Sequence, residues 1–288
     1  MLKSTAVRYL AIVLGTIMWD VGAILQKRAV SRMPAGRLPV LALLRSWDWM
    51  LGLLVTAAGW GLFVFGLDEV PISAARAVTA GSYVVLAVFS TVFLRTPLSI
   101  AEWAAIVCVT GGILMLGVQG TAGAEPAVPP TGKLVVGVAL VTLFSIPVYL
   151  AARFWKHRTG VPLFAFAAAS GLLGSVGDLL TKVCLALVQP APHVQILSLV
   201  LAGVGLAVFY LTSFYMLSRA YQSGTVVGGV VVSDFFGRVG VLFLGSLVLS
   251  EPIGGGLARA AGFLLVLGGS LFLGRFGTPG VQSSQSDE

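Results

Sequence analysis

The sequence predicts an all-α polytopic membrane protein: nine transmembrane helices, arranged as two inverted four-helix repeats joined by a connector helix. Three observations carry that prediction. The first is composition: of 288 residues, 57% are hydrophobic and only 10% are charged. Soluble domains carry about 25% charged residues, so this chain cannot coat a water-facing surface of its size. The second is a set of nine apolar stretches close to the roughly 20 residues that a bilayer-crossing helix needs. The third is self-similarity at a spacing of about 155 residues. Together they exclude a soluble enzyme, a disordered chain and a disulfide framework.

The stretches cover residues 6–28, 47–67, 71–94, 98–118, 133–152, 163–188, 195–218, 224–248 and 255–274. They are continuous apolar runs without in/out alternation, which excludes a β-barrel. Prolines such as Pro39, Pro71, Pro97, Pro130, Pro162 and Pro252 fall in connections or first turns, where a missing N–H costs least. Pro147 falls inside the fifth stretch and is expected to kink it. The first stretch carries Asp20, ends on Lys27-Arg28 and lacks a small-x-small cleavage site, so it reads as a retained helix rather than a signal peptide. Cys108 and Cys184 lie in apolar segments and read as packing residues.

Basic residues orient the spans. Lys27, Arg28, Arg32, Arg37, Arg45, Arg95, Arg153, Lys156, Arg158, Arg219 and Arg275 fall on one side, and Lys3, Arg8, Lys133 and Arg259 on the other. The richer side is expected to be cytoplasmic, which puts the N-terminus outside and the C-terminus inside. The excess of 18 Lys+Arg over 11 Asp+Glu then has a topological cause. No basic run with interleaved aromatics suggests a nucleic-acid partner.

GAILQK at Gly22–Lys27 returns as GDLLTK at Gly177–Lys182, LRTPLS at Leu94–Ser99 as LSEPIG at Leu249–Gly254, and GGILMLG at Gly111–Gly117 as GGSLFLG at Gly268–Gly274. Each match is weak alone; their common order and offset are not. The chain thus divides into a first repeat (1–118), an extracellular linker (119–132), the connector helix with a basic cytoplasmic loop (133–162), a second repeat (163–276) and a disordered cytoplasmic tail (277–288). One connector helix inverts the second repeat relative to the first. Inverted repeats are the architecture of alternating-access carriers, whose substrate site lies near the midplane. The plainer reading is a duplication without transport.

Ionisable side chains deep in a membrane cost roughly 2.5–3.5 kcal/mol each on insertion scales. Asp20, Asp178 and Asp234 lie near mid-span, and Arg76, Lys182 and Arg238 also fall within spans. Asp178/Lys182 and Asp234/Arg238 are both spaced i,i+4, which places partners on one helix face. These six are the candidate substrate or proton-coupling residues; fixed salt bridges holding helices in register are the plainer reading. Trp19, Tyr83, Phe235 and Tyr210 are candidate pocket-lining aromatics, able to face an organic cation, although aromatics in bundles more often simply pack. Three acids offset by three bases suit a carboxylate that exchanges partners with a solute or proton. A magnesium site wants several oxygen ligands and net negative charge; if Mg²⁺ is carried, Asp20 and Asp234 are its candidate ligands. Glycines at 171, 174 and 177 and at 237 and 240 allow close helix contact.

Leu249-Ser250-Glu251-Pro252 followed by Leu267-Gly268-Gly269, with Leu94-Arg95-Thr96-Pro97 and Gly111-Gly112 as a first-repeat copy, resembles the signature of the drug/metabolite transporter superfamily. The nine-helix count, Gly22-x4-Lys27-Arg28 and Ser170–Ser175 with Lys182 are similar to the NIPA-type magnesium transporter family. That resemblance implies magnesium or divalent-cation transport.

The expected function is an alternating-access secondary carrier of the plasma membrane, moving a small polar or cationic solute. A magnesium transporter, a lipid or lipid-linked-sugar flippase and a non-transporting scaffold are the alternatives. No cofactor is expected. The partners are the solute and the lipid bilayer, and the glycine stripes leave a homodimer open. Catalysis is not expected: His157 and His193 lie in loops without the companions that it requires.

Overall fold

The computed structural model describes residues 2–34, 38–67, 72–94, 98–118, 130–155, 158, 160–188, 196–249 and 257–276. These residues form ten helices: α1 (Leu2–Ser31), α2 (Val40–Arg45), α3 (Trp47–Leu67), α4 (Ile72–Phe93), α5 (Ile100–Val118), α6 (Thr131–Phe154), α7 (Val161–Val188), α8 (Ile196–Ser223), α9 (Val226–Leu249) and α10 (Leu257–Phe276). No strand occurs among the described residues. Six helices, α1, α3, α6, α7, α8 and α9, are long and apolar enough to cross a membrane, and α4, α5 and α10 carry shorter apolar cores. The short α2 is an addition to the expected set; it starts after Pro39 and is anchored by buried Leu43. The 119–129 part of the linker, Arg95-Thr96-Pro97, Glu251-Pro252, both histidines and the tail from residue 277 lie outside the described residues, as does the side chain of Arg76.

Local chemistry sets the helix starts. Ser99 and Glu102 form a reciprocal capping box at α5: the Glu102 carboxylate accepts from the Ser99 N–H at 2.7 Å and hydroxyl at 2.8 Å, and the Glu102 N–H donates to Ser99 Oγ at 3.2 Å. This arrangement satisfies orphan donors of the first turn and explains how Glu102 is buried. Thr225 caps α9, its hydroxyl oxygen accepting from the Gly228 N–H at 3.2 Å. Gly160, at φ 79°, makes the left-handed turn into α7, where Pro162 sits in the first turn. Pro147 stands inside α6.

The chain forms two compact units, which divide it by contact rather than by repeat. The first comprises Met1–Gly120, Tyr221–Val231 and Gly255–Glu288, hence α1 to α5, α10 and the turn from α8 into α9. Here α1 and α3 cross antiparallel through glycines seven apart. A Cβ on Gly15 would meet the Gly59 carbonyl at 2.6 Å and one on Gly59 the Gly15 carbonyl at 2.6 Å; Gly22 and Gly52 repeat the relation at 2.8 Å. Between α5 and α10 the contacts are reciprocal too. Gly112 faces the Gly262 carbonyl and Val266, while Gly269 faces the Ala105 carbonyl and Val109, so the pair runs antiparallel. The α8–α9 turn is tied to α1: Lys27 Nζ donates to the Tyr221 carbonyl and, at 2.8 Å, to the Gly224 carbonyl, capping the end of α8. Gln222 Nε2 donates to the Pro34 carbonyl at 2.8 Å.

The second unit comprises Thr121–Ala220 and Val232–Gly254, which holds α6, α7 and the greater part of α8 and α9. Its centre is α7, the most buried of the six long spans, whereas α8 is the least buried. Leu172, Val176, Leu179 and Leu180 of α7 form a core with Val141 of α6 and with Leu244 and Val248 of α9. Gly171 lies against the Ser233 carbonyl and Gly240 against the Ser175 side chain, so α7 and α9 run parallel in close contact. The hydroxyls of Ser170, Ser213 and Ser233 meet between α7, α8 and α9 at 3.1 and 3.2 Å.

Candidate functional site

Burial should make α7 apolar wherever it is covered, and should leave any exposed position apolar if that position faced lipid. The second expectation fails at two places. Up to Leu187, the exposed side chains among the described residues of α7 are Asp178 and Lys182. A charged group inside a bilayer is expected to face the bundle interior or a water-filled cavity rather than lipid, which sets these two positions apart on an otherwise covered helix. They line a crevice of about 20 Å³ with Ser175, Leu179, Val241, Leu244 and Gly245.

Around this opening the second unit gathers five of the expected site residues. Tyr210, from α8, donates its hydroxyl to Asp178 Oδ1 at 2.6 Å. From α9, Arg238 Nε donates to Asp234 Oδ2 at 2.7 Å, the i,i+4 pair that the spacing predicts. Asp234 and Arg238 retain 34% and 23% side-chain exposure, so the pair is reachable from outside the core. Asp178 interacts electrostatically with Asp234, Lys182 and Arg238. The Tyr210 hydrogen bond to Asp178 thus comes from α8, with Lys182 acting as a neighbouring charge. Two carboxylates and two cations make this a formally neutral array.

The remaining expected residues sit elsewhere. Phe235 is buried and stacks edge-on against Phe236, their centroids 5.3 Å apart, as part of the packing of the second unit. Asp20, Trp19 and Tyr83 belong to the first unit. Trp19 packs on Phe63 of α3 at 5.0 Å between centroids, and Tyr83 is buried in α4. Arg76 is placed within α4, its side chain outside the described residues. Asp20 is 4% exposed, and its Oδ2 has no hydrogen-bond partner. The Tyr221 hydroxyl, fully buried in the same unit, is likewise without a partner. Sequence reasoning passed over Tyr221, which lies beyond the seventh apolar stretch. Its burial is tertiary, and only its aromatic character at a span end hinted at it.

Among the described residues, no three His, Cys, Asp or Glu side chains gather where they could hold a metal ion. Compared with known proteins, the chain matches no family model, no curated protein and no solved structure.

Proposed function

We propose that the protein is an alternating-access secondary carrier of the drug/metabolite type, embedded in the plasma membrane, that moves a small polar or cationic solute. The observation that carries this reading is the exposure of Asp178 and Lys182 on the most buried long helix, beside Tyr210 and the Asp234–Arg238 pair. A scaffold would gain nothing from placing charges where apolar packing would stabilise it. Asp178 would take the cationic or hydrogen-bond-donating end of the solute, held in place by Tyr210. Arg238 would release Asp234, or share it, as the solute arrives.

The contacts of α5 with α10 support an inverted-repeat reading. Shifting Ala105, Val109 and Gly112 by 157 positions gives Gly262, Val266 and Gly269, the residues they meet. An antiparallel pair related by such an exchange is what a two-fold axis in the membrane plane would produce. The crossing of α1 on α3 at Gly22 and of α7 on α8 at Gly177 fall at matching repeat positions. The basic residues favour an outer N-terminus and a cytoplasmic C-terminus. A magnesium-transporter reading has less support, since the described charges of the array sum to zero.

A ligand binding at this array would stabilise the folded protein by mass action, by about 2.7 kcal/mol at a hundred times its Kd. Thermal unfolding of the purified protein, screened against organic cations, zwitterions and Mg²⁺, is expected to show stabilisation by a member of the first two classes. That shift should be lost in Asp178→Asn. Stabilisation by Mg²⁺ alone would contradict the reading.

A further inference from the structure

We propose that the connection from α1 to α3, within the first unit, is a docking surface for the headgroups of anionic phospholipids. This needs the chain to lie in a membrane; it does not need the carrier reading.

Two kinds of side chain are exposed side by side there. The apolar ones are Val40, Leu41 and Leu44 of α2 and Trp47 at the start of α3, the last 79% exposed. Buried Leu43, with Leu38 before it and Trp49 after it, fixes which way the segment faces. Single exposed apolar side chains need no explanation; a run of them on one connection does. The charged ones are Arg28 in the last turn of α1, Arg32 just beyond it and Arg45 at the end of α2, all exposed.

Water would suit the arginines and not the apolar run; hydrocarbon would suit the run and not the arginines. The membrane interface suits both, with apolar side chains at the headgroup–acyl boundary and cations among the headgroups, the depth at which Trp is enriched. Charge then selects the lipid. Arg28 Nε and Arg32 Nη1 converge on one oxygen of Asp48, at 3.8 and 2.6 Å, yet these arginine side chains stay 59% and 60% exposed. Asp48 is the one acid between residues 28 and 49, so it offsets one of the three exposed arginines. The positive charge that remains is unmatched by the protein there. Guanidinium groups hold phosphate oxygens through paired N–H donors, and the phosphodiesters of a headgroup layer present such oxygens.

One arginine at Asp48 would suffice to clasp α1 to α3. A headgroup gives the second guanidinium and Arg45 an anion of their own. The surface is also joined to the rest of its unit, since Gln222 Nε2 donates to the Pro34 carbonyl at 2.8 Å. Lipid held at Arg32 thus lies two residues from a bond that steadies the turn from α8 into α9.

Trp47 provides a local readout. The purified protein is reconstituted in phosphatidylcholine vesicles containing a fixed fraction of either brominated phosphatidylglycerol or brominated phosphatidylcholine with the same chains. The quenching of Trp47 is the difference between the unaltered protein and Trp47→Phe. Brominated phosphatidylglycerol is expected to quench Trp47 more strongly than brominated phosphatidylcholine. Arg45→Gln should weaken that preference about fivefold, and Asp48→Asn should strengthen it by a similar factor, the effect of one charge near an anionic surface. Arg28→Gln with Arg32→Gln leaves Arg45 opposite Asp48 and should abolish the preference, whereas Lys133→Gln on α6 should leave it unchanged. The two single variants give the readout if the double variant fails to fold. Asp48→Asn also separates docking from a clasp, which would lose stability there and gain no lipid preference. Equal quenching by the two lipids, or a preference unchanged in the arginine variants, would overturn the proposal. So would quenching by neither lipid, the result expected if a second copy of the chain or another protein covers α2.

Discussion

Gly59→Val is expected to prevent the protein from reaching its folded state, whereas Gly61→Ala, two residues away, should be tolerated. The difference follows from what each new side chain meets. A Cβ on Gly59 would stand 2.6 Å from the Gly15 carbonyl, 3.0 Å from Met18 Cβ and 3.1 Å from Trp19 Cδ1; around Gly61 nothing lies within 4 Å. A backbone carbonyl inside a helix cannot rotate away, so α1 and α3 would have to part along their length. Overpacking of this kind costs about 1–3 kcal/mol when side chains can adjust and more when they cannot. It would also strip packing that small residues give membrane helices in place of a hydrophobic drive. Size-exclusion profiles in detergent check both variants: aggregate for Gly59→Val, a peak like that of the unaltered protein for Gly61→Ala. A monodisperse, thermally normal Gly59→Val protein would contradict the α1–α3 crossing.

The second large effect concerns the pair in α9. Arg238→Gln alone takes the partly buried guanidinium from the Asp234 carboxylate and is expected to destabilise the protein by about 2–3 kcal/mol. Breaking a buried pair costs about 3–5 kcal/mol, and the exposure of these side chains, 23% and 34%, lowers that figure. Asp234→Asn with Arg238→Gln removes both charges together and should recover most of the loss, because it leaves no charge of the pair uncompensated. The double variant separates fold from function: its thermal midpoint should lie close to that of the unaltered protein while its response to solute is gone. If it bound solute as before, the pair would be a structural clasp and the site would lie elsewhere.

Much of this was legible in the residues, and the rest failed for identifiable reasons. Each of the nine apolar stretches falls on a helix among the described residues, six of them long and apolar enough to cross a membrane, because an apolar run is a local property. The Asp234–Arg238 bond was legible because four residues make one helical turn. The Asp178 bond was not, since its partner Tyr210 is 32 residues away and only the crossing of α7 and α8 joins them. The α1–α3 contact had a signal that went unused: Gly52, Gly59 and Gly66 recur every seven residues and face Gly22, Gly15 and the Arg8 carbonyl. Spacing by seven is what keeps a seam along two crossing helices. The Ser99–Glu102 capping box was written in the order Ser-x-x-Glu. Tyr221 and the grip of Lys27 on its carbonyl had no local signal at all, since both depend on α1 meeting the end of α8. The division into units also departs from the repeat boundaries, because α10 finds its partner in α5.

If the charge array of α7 to α9 carries a solute across the membrane, protein reconstituted on a solid-supported membrane will pass current after a solute jump. A small organic cation or a zwitterion, or a pH step in its presence, should evoke a saturable current that Asp234→Asn abolishes. A saturable Mg²⁺ current that disappears in Asp234→Asn, with silence toward organic solutes, would exclude an organic-solute carrier and establish a divalent-cation site in its place.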